Sequence, residues 1–205
     1  MLTKIINYAN NLSPFNIGSH RPTPKMPWLI NFIKFLVFLP VLIYFYSIHV
    51  YATNIPFSDD YVIHLDQIIS IIQAQTLSGK LELLFLNSLE LLLLFNKITI
   101  LLIYSFLGEI NLKIFIFIGN SALLGLLFFF YKTLPENREK IFLAFPVVLI
   151  LFQLKPNWIH LVSGINLGYH FGLFFTGLTF YFLGKNQTKY VFIAGIFAAS
   201  SLLTI

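Results

Sequence analysis

Asp59 and Asp60 stand side by side in NIPFSDDYVIHLDQ, residues 54–67, with His64 one turn beyond Asp60. Adjacent carboxylates repel, so one holds its proton more tightly or both share a divalent cation such as Mg or Mn. Either state suits a general base taking a proton from an acceptor hydroxyl. A plainer reading carries equal weight. Ser58 is a good helix N-cap, and two acidic residues in a first turn are favoured by the helix dipole. His64 falls on the same side as Asp60 and joins the site or is an ordinary interfacial residue.

Glu90 interrupts a leucine-rich run, where an acidic side chain is costly and faces a cavity, a partner or the water-facing end of a helix. Lys97 and Asn87 share its helical face, although Glu90 and Lys97 are about 10 Å apart along the axis, too far for a direct pair. Glu90, His64 and Lys97 are therefore the candidate substrate-binding residues, on a polar track. Gly164, Gly168 and Gly172 recur every fourth residue in GINLGYHFG. That spacing predicts close helix packing, with Asn166 and His170 beside it as weaker cavity-lining candidates. The sequon at Asn186 is discounted as a chance match. With no cysteine, thiolate metal sites, Cys nucleophiles and disulfides are excluded. No phosphate-cradling glycine loop, zinc-type His spacing or Ser/His/Asp motif is present.

The elements that must position these residues are membrane helices. Hydrophobic residues make up 58% of the 205, against about 45–50% in soluble domains. The mean hydropathy is +0.82, and apolar runs near the length of a bilayer span recur. The expectation is an all-α integral membrane protein with about six transmembrane helices: 28–51, 91–107, 112–131, 141–154, 165–183 and a last one, 190–205, that looks truncated. Residues 1–27 read as a cytoplasmic N-terminal segment, with Leu2, Ile5, Ile6, Ala9 and Leu12 on one stripe of an interfacial helix. Residues 28–205 read as one polytopic domain, with an extracytoplasmic loop, 52–80, carrying an amphipathic helix from Ser58 to a stop near Gly79. The first apolar run and its basic lead are too long for a cleaved signal, so it is an uncleaved anchor.

The net charge of +5 comes from loop residues, which orient helices in a bilayer, and no nucleic-acid partner is expected. Under strict alternation of the spans the basic residues divide five to six and decide nothing. The flanks of the first span place the N-terminus inside and Asp59 and Asp60 outside.

PFSDDY, Pro56–Tyr61, and ELLLLFNKITILLIYSFLGEINLKIFIFIGN, Glu90–Asn120, resemble the GT-C superfamily of membrane glycosyltransferases and a group of bacterial multi-pass proteins of that architecture. The likeness runs over nearly the whole chain on short motifs. It implies an enzyme of the bacterial inner (plasma) membrane that transfers a sugar from a polyprenyl-phosphate donor to an extracytoplasmic acceptor. Asp59 or Asp60 would be the catalytic base, with the same pair as ligands to a divalent metal; membrane lipids and the lipid-linked donor would be the partners. The residue matching Glu90 is followed in that group by His and Arg, where this chain has Leu91 and Leu92. If that basic pair holds a lipid phosphate, this chain lacks it, which leaves an inactive or truncated copy open. A non-enzymatic transporter or flippase-like protein is the alternative.

Overall fold

The computed structural model describes residues 27–57, 60–86, 93–135, 140–154, 163–185 and 187–204. The chain divides into two compact units, Met1–Ile33 and Lys34–Ile205. Of the first, the described residues are the opening turns of α1 (Pro27–Tyr51); the remaining described elements belong to the second. Among the described residues all regular structure is helical. A short π-helix, Tyr61–Asp66, leads into α2 (Gln67–Gln73), followed by α3 (Leu77–Phe85), α4 (Leu94–Leu107), α5 (Leu112–Thr133), α6 (Lys140–Leu151), α7 (Asn166–Leu183) and α8 (Thr188–Leu202). Among the described residues two helical stretches are long and apolar enough to cross a membrane, Lys34–Tyr51 and Leu112–Thr133.

The helix directions follow from side-chain contacts. Lys113 Nζ donates to the His49 carbonyl at 2.8 Å, the Tyr44 hydroxyl donates to Asn120 Oδ1 at 2.6 Å, and Val37 and Leu127 line one cavity. As α5 advances, α1 recedes, so the two are antiparallel. Tyr44 and Asn120 are both fully buried; each satisfies a group that would be costly alone in an apolar interior. Strict alternation of six spans would have made α1 and α5 parallel. The reason for the difference is the length of α4, 14 residues or about 21 Å, short of the roughly 30 Å hydrocarbon core. Leu112 N–H donates to Asn54 Oδ1 at 2.7 Å, so residues 55–111 begin and end at the same end of the bundle, an excursion whose α2 and α4 pack against α5 and α7.

Within that excursion the amphipathic helix expected from Ser58 to Gly79 is two helices. Ala74 turns the chain to extended geometry, and Thr76 starts α3 as its N-cap, accepting from Gly79 N–H at 3.1 Å. Gly79 is therefore inside α3 rather than a stop. The buried stripe runs Asp60, His64, Ile68, Ile71. α4 ends at Gly108, whose φ of 73° suits a residue without a Cβ. It begins at Leu93, whose φ of 46° is a left-handed conformation that a β-carbon disfavours by about 1–2 kcal/mol.

α5 and α7 run parallel and close. A Cβ on Gly119 would lie 2.8 Å from Leu167 Cα, and those on Gly125 and Gly177 would strike Phe174 and Leu126. α8 returns antiparallel to α7 through Phe175, Phe182 and Phe197. α6 packs alongside α1, with Phe152 edge-on to Tyr44.

Candidate functional site

Asp60 sits where the π-helix meets the start of α7, and its carboxylate is 1% exposed. Gly164 N–H donates to both oxygens, at 3.0 Å to Oδ1 and 3.1 Å to Oδ2. Phe57 N–H adds a bond to Oδ2 at 3.2 Å, and Ser163 Oγ lies 3.4 Å from Oδ1. Asp60 makes no capping bond to its own helix. It caps α7 instead: Gly164 and Ile165 both donate from just ahead of Asn166, where orphan N–H groups and the helix dipole favour an anion. Gly164 is required for this approach, since a Cβ there would meet the Phe115 ring at 3.0 Å and Asp60 Oδ1 at 3.2 Å. Burial pushes the Asp60 carboxyl above its ordinary value, while the donors from Gly164, Phe57, Ile165 and Ser163 pull the other way.

His64 is equally buried, with its ring edge-on to Phe115 at 4.9 Å. Its Nε2 is 3.6 Å from Asp60 Oδ1, longer than a hydrogen bond, and neither ring nitrogen has a hydrogen-bond partner. Burial pushes the imidazole down to about 4. It is a neutral ring beside a carboxylate, and the two do not form an ion pair near neutral pH.

Lys97 is a buried lysine on α4 that serves a neighbouring helix. Its ammonium donates to the carbonyls of Leu83, Leu84 and Leu86, the C-terminal end of α3, where a cation complements the dipole. Asn96 next to it is completely buried with both amide atoms unpartnered, and its Oδ1 would be 2.9 Å from a Cβ on Gly168. Gly168 also admits the Thr204 carbonyl, which a Cβ would strike. Gly172 is buried on the same helix. Asp59 and Glu90, with Ser58, Asn87, Leu91, Leu92 and Asn186, lie outside the described residues.

Asp60, His64 and Gly164 are thus brought together with Phe115 and Ser163, two residues that sequence patterning did not single out. Ser163 and Gly164 just ahead of an apolar run were a helix-start signal, but nothing marked their capping partner as coming from residue 60. Lys97 is held at a separate contact, on the end of α3.

No family model matches the chain, and no curated protein or solved structure is similar to it.

The acceptor positions of Asp60 are occupied by N–H and O–H donors, which compete with a metal, and Asp59, the other expected ligand, lies outside the described residues. Among the described residues no group of three His, Cys, Asp or Glu side chains converges. What the arrangement does provide is a tie, through one carboxylate, between Phe57 and the start of α7.

Proposed function

We propose that the protein is a polytopic membrane protein of the glycosyltransferase type, with the Asp60 end of its bundle outside the cell. The observation that carries the orientation is a charge asymmetry along the antiparallel helices. Lys34, Lys132, Lys140, Lys185 and Lys189 all fall at the end where α1 begins and α5 ends. Lys80 and Lys113 fall at the other end, among Asp60, Asp66, Glu82 and Glu109. Basic residues collect on the cytoplasmic side, so the N-terminus is inside. The five-to-six tie disappears once 55–111 is treated as an excursion that does not cross.

In this reading the excursion forms the roof of a site at the bilayer surface, where a lipid-linked donor has its reacting bond. Asp59 is the catalytic base and Asp60 the positioning residue that fixes the loop on α7. The acceptor hydroxyl gives its proton to Asp59, and its oxygen bonds to the anomeric carbon. The bond from that carbon to phosphate oxygen breaks, and polyprenyl phosphate leaves with the electron pair. In-line attack inverts the anomeric centre. The likeness of PFSDDY to membrane glycosyltransferases supports the chemistry, and the anchoring of that stretch by Asp60 supports the division of roles.

One observation favours a second reading. The carboxylate of Asp60 is saturated by donors, as in a purely structural tie, which suits a non-enzymatic transporter or flippase-like protein. Membranes carrying the protein, given a panel of labelled polyprenyl-phosphate sugars, separate the two. Asp59→Asn abolishes transfer at unchanged abundance if the enzyme reading holds. Transfer at the wild-type rate by that variant, or none by the parent protein, leaves the second reading in place.

A further inference from the structure

α4 is too short to cross a bilayer, yet its first turn lies deep in the bundle. Asn96 Oδ1 would be 2.9 Å from a Cβ on Gly168, and the Phe95 ring packs on Phe171 and Phe175 at 4.7 and 5.6 Å between centroids. Leu167, beside Gly168, meets Gly119 of α5, which is about 10 Å inside the level of Leu112. Phe171 is one turn deeper, about 16 Å from that level and so near the midplane of a roughly 30 Å hydrocarbon core. The other end of α4 is at the boundary: Ile103 shares a cluster with Leu112 and with Ile68 of α2. α4 therefore rises from mid-depth to the outer end of the bundle, opposite in direction to α5.

A helix that begins at mid-depth brings unpaired backbone groups with it, and hydrocarbon cannot satisfy them. Here the protein does. Phe95 N–H donates to the Leu203 carbonyl at 3.1 Å, and Lys97, the one charged residue of α4, gives its ammonium to the carbonyls of Leu83, Leu84 and Leu86. The hydroxyls of Thr99 and Ser105 turn back onto the carbonyls of Phe95 and Leu101, both at 2.8 Å. The outward face is apolar: Ile98, Leu102 and Phe106 recur every fourth residue and are 40, 53 and 85% exposed. We propose that α4 is a re-entrant helix sunk in the outer leaflet, with Ile98, Leu102 and Phe106 against lipid acyl chains. Continuity favours that occupant, because the stripe climbs through the depth of Leu112–Thr133, a stretch long and apolar enough to span. Lys80 and Glu82 of α3 come before the end that Lys97 holds, on the head-group side. The inference rests on the membrane topology proposed above and is independent of sugar transfer.

The test is the collision accessibility of single nitroxide labels on the full chain in phosphatidylcholine vesicles. Oxygen is the apolar reagent and a water-soluble nickel chelate the aqueous one. Ile98→Cys, Leu102→Cys and Phe106→Cys carry the label one at a time; Phe128→Cys on α5 and Thr53→Cys, both at exposed positions, are the references. Oxygen collisions dominate at all three α4 positions, as at 128, while nickel collisions dominate at 53. The oxygen-to-nickel ratio falls from 98 through 102 to 106 as α4 nears the head groups. Nickel-dominated collisions on α4, with 128 still oxygen-dominated, overturn the proposal and leave the membrane reading standing. Low collision with both reagents, the mark of a second copy of the chain over the stripe, overturns it too. Nickel-dominated collisions at 128 remove the membrane reading and this inference together.

Discussion

Gly164 and Asp60 are 104 residues apart in sequence, and one amide N–H joins them by bonding to both oxygens of a buried carboxylate at 3.0 and 3.1 Å. That contact ties the first excursion of the chain to the start of α7. It also explains why the fourth-residue glycine repeat begins where it does: Gly164 serves the carboxylate, while Gly168 serves Asn96 and the chain near Thr204. Gly164→Ala therefore forces the Phe115 ring or the carboxylate aside, at a cost of about 1–3 kcal/mol. Thermal unfolding in detergent measures it, and Asp60→Asn, which keeps the shape but weakens the acceptor, lowers the midpoint in the same direction.

His64 makes stability depend on pH. Its folded value of about 4 lies below the ordinary 6.5, so the unfolded chain binds the proton more tightly. The stabilisation is complete above pH 6.5 and is lost as pH falls toward 4, by roughly 3 kcal/mol in all. Asp60 acts in the opposite sense. Its raised value favours the protonated fold, a contribution present below the ordinary carboxyl range and lost as pH rises through the folded value. Between about pH 4.5 and 7 the His64 contribution makes unfolding midpoints rise with pH; His64→Phe removes that rise and leaves the falling contribution of Asp60.

Lys97→Met removes three donors from the end of α3 and leaves their carbonyls without that partner. The expected loss is about 2–3 kcal/mol. Hydrogen exchange locates it: amides of α3 lose protection first, while those of α5 and α7 keep theirs.

Gly119→Leu drives a side chain into the backbone of α7 at Leu167, where even a Cβ comes within 2.8 Å of Cα. Separation of the two parallel helices costs about 1–3 kcal/mol or more and lowers the yield of folded protein. Gly195→Leu on α8, where a Cβ meets nothing within 4 Å, is the matched control and has no such effect.

Sequence patterning located α5, α6, α7 and α8 to within about three residues, because long apolar runs bounded by Asn111, Lys140 and Gly184 have few alternatives. It also marked the Asp60–His64 segment, since charge is scarce in so apolar a chain. It did not find the excursion's course. The expected span 91–107 coincides with α4, Leu94–Leu107, which is too short to cross. The partner of Asp60 was invisible for a simpler reason: a contact across 104 residues leaves no local pattern.

The proposed topology requires residues 55–111 to begin and end on one face of the membrane, the outer one. The chain contains no cysteine, so single-cysteine labelling is free of background. Thr53→Cys and Glu109→Cys are both predicted to react with a membrane-impermeant maleimide added to intact cells. Thr133→Cys and Gln187→Cys react only after permeabilisation. Labelling of residues 53 and 109 from opposite sides contradicts this topology.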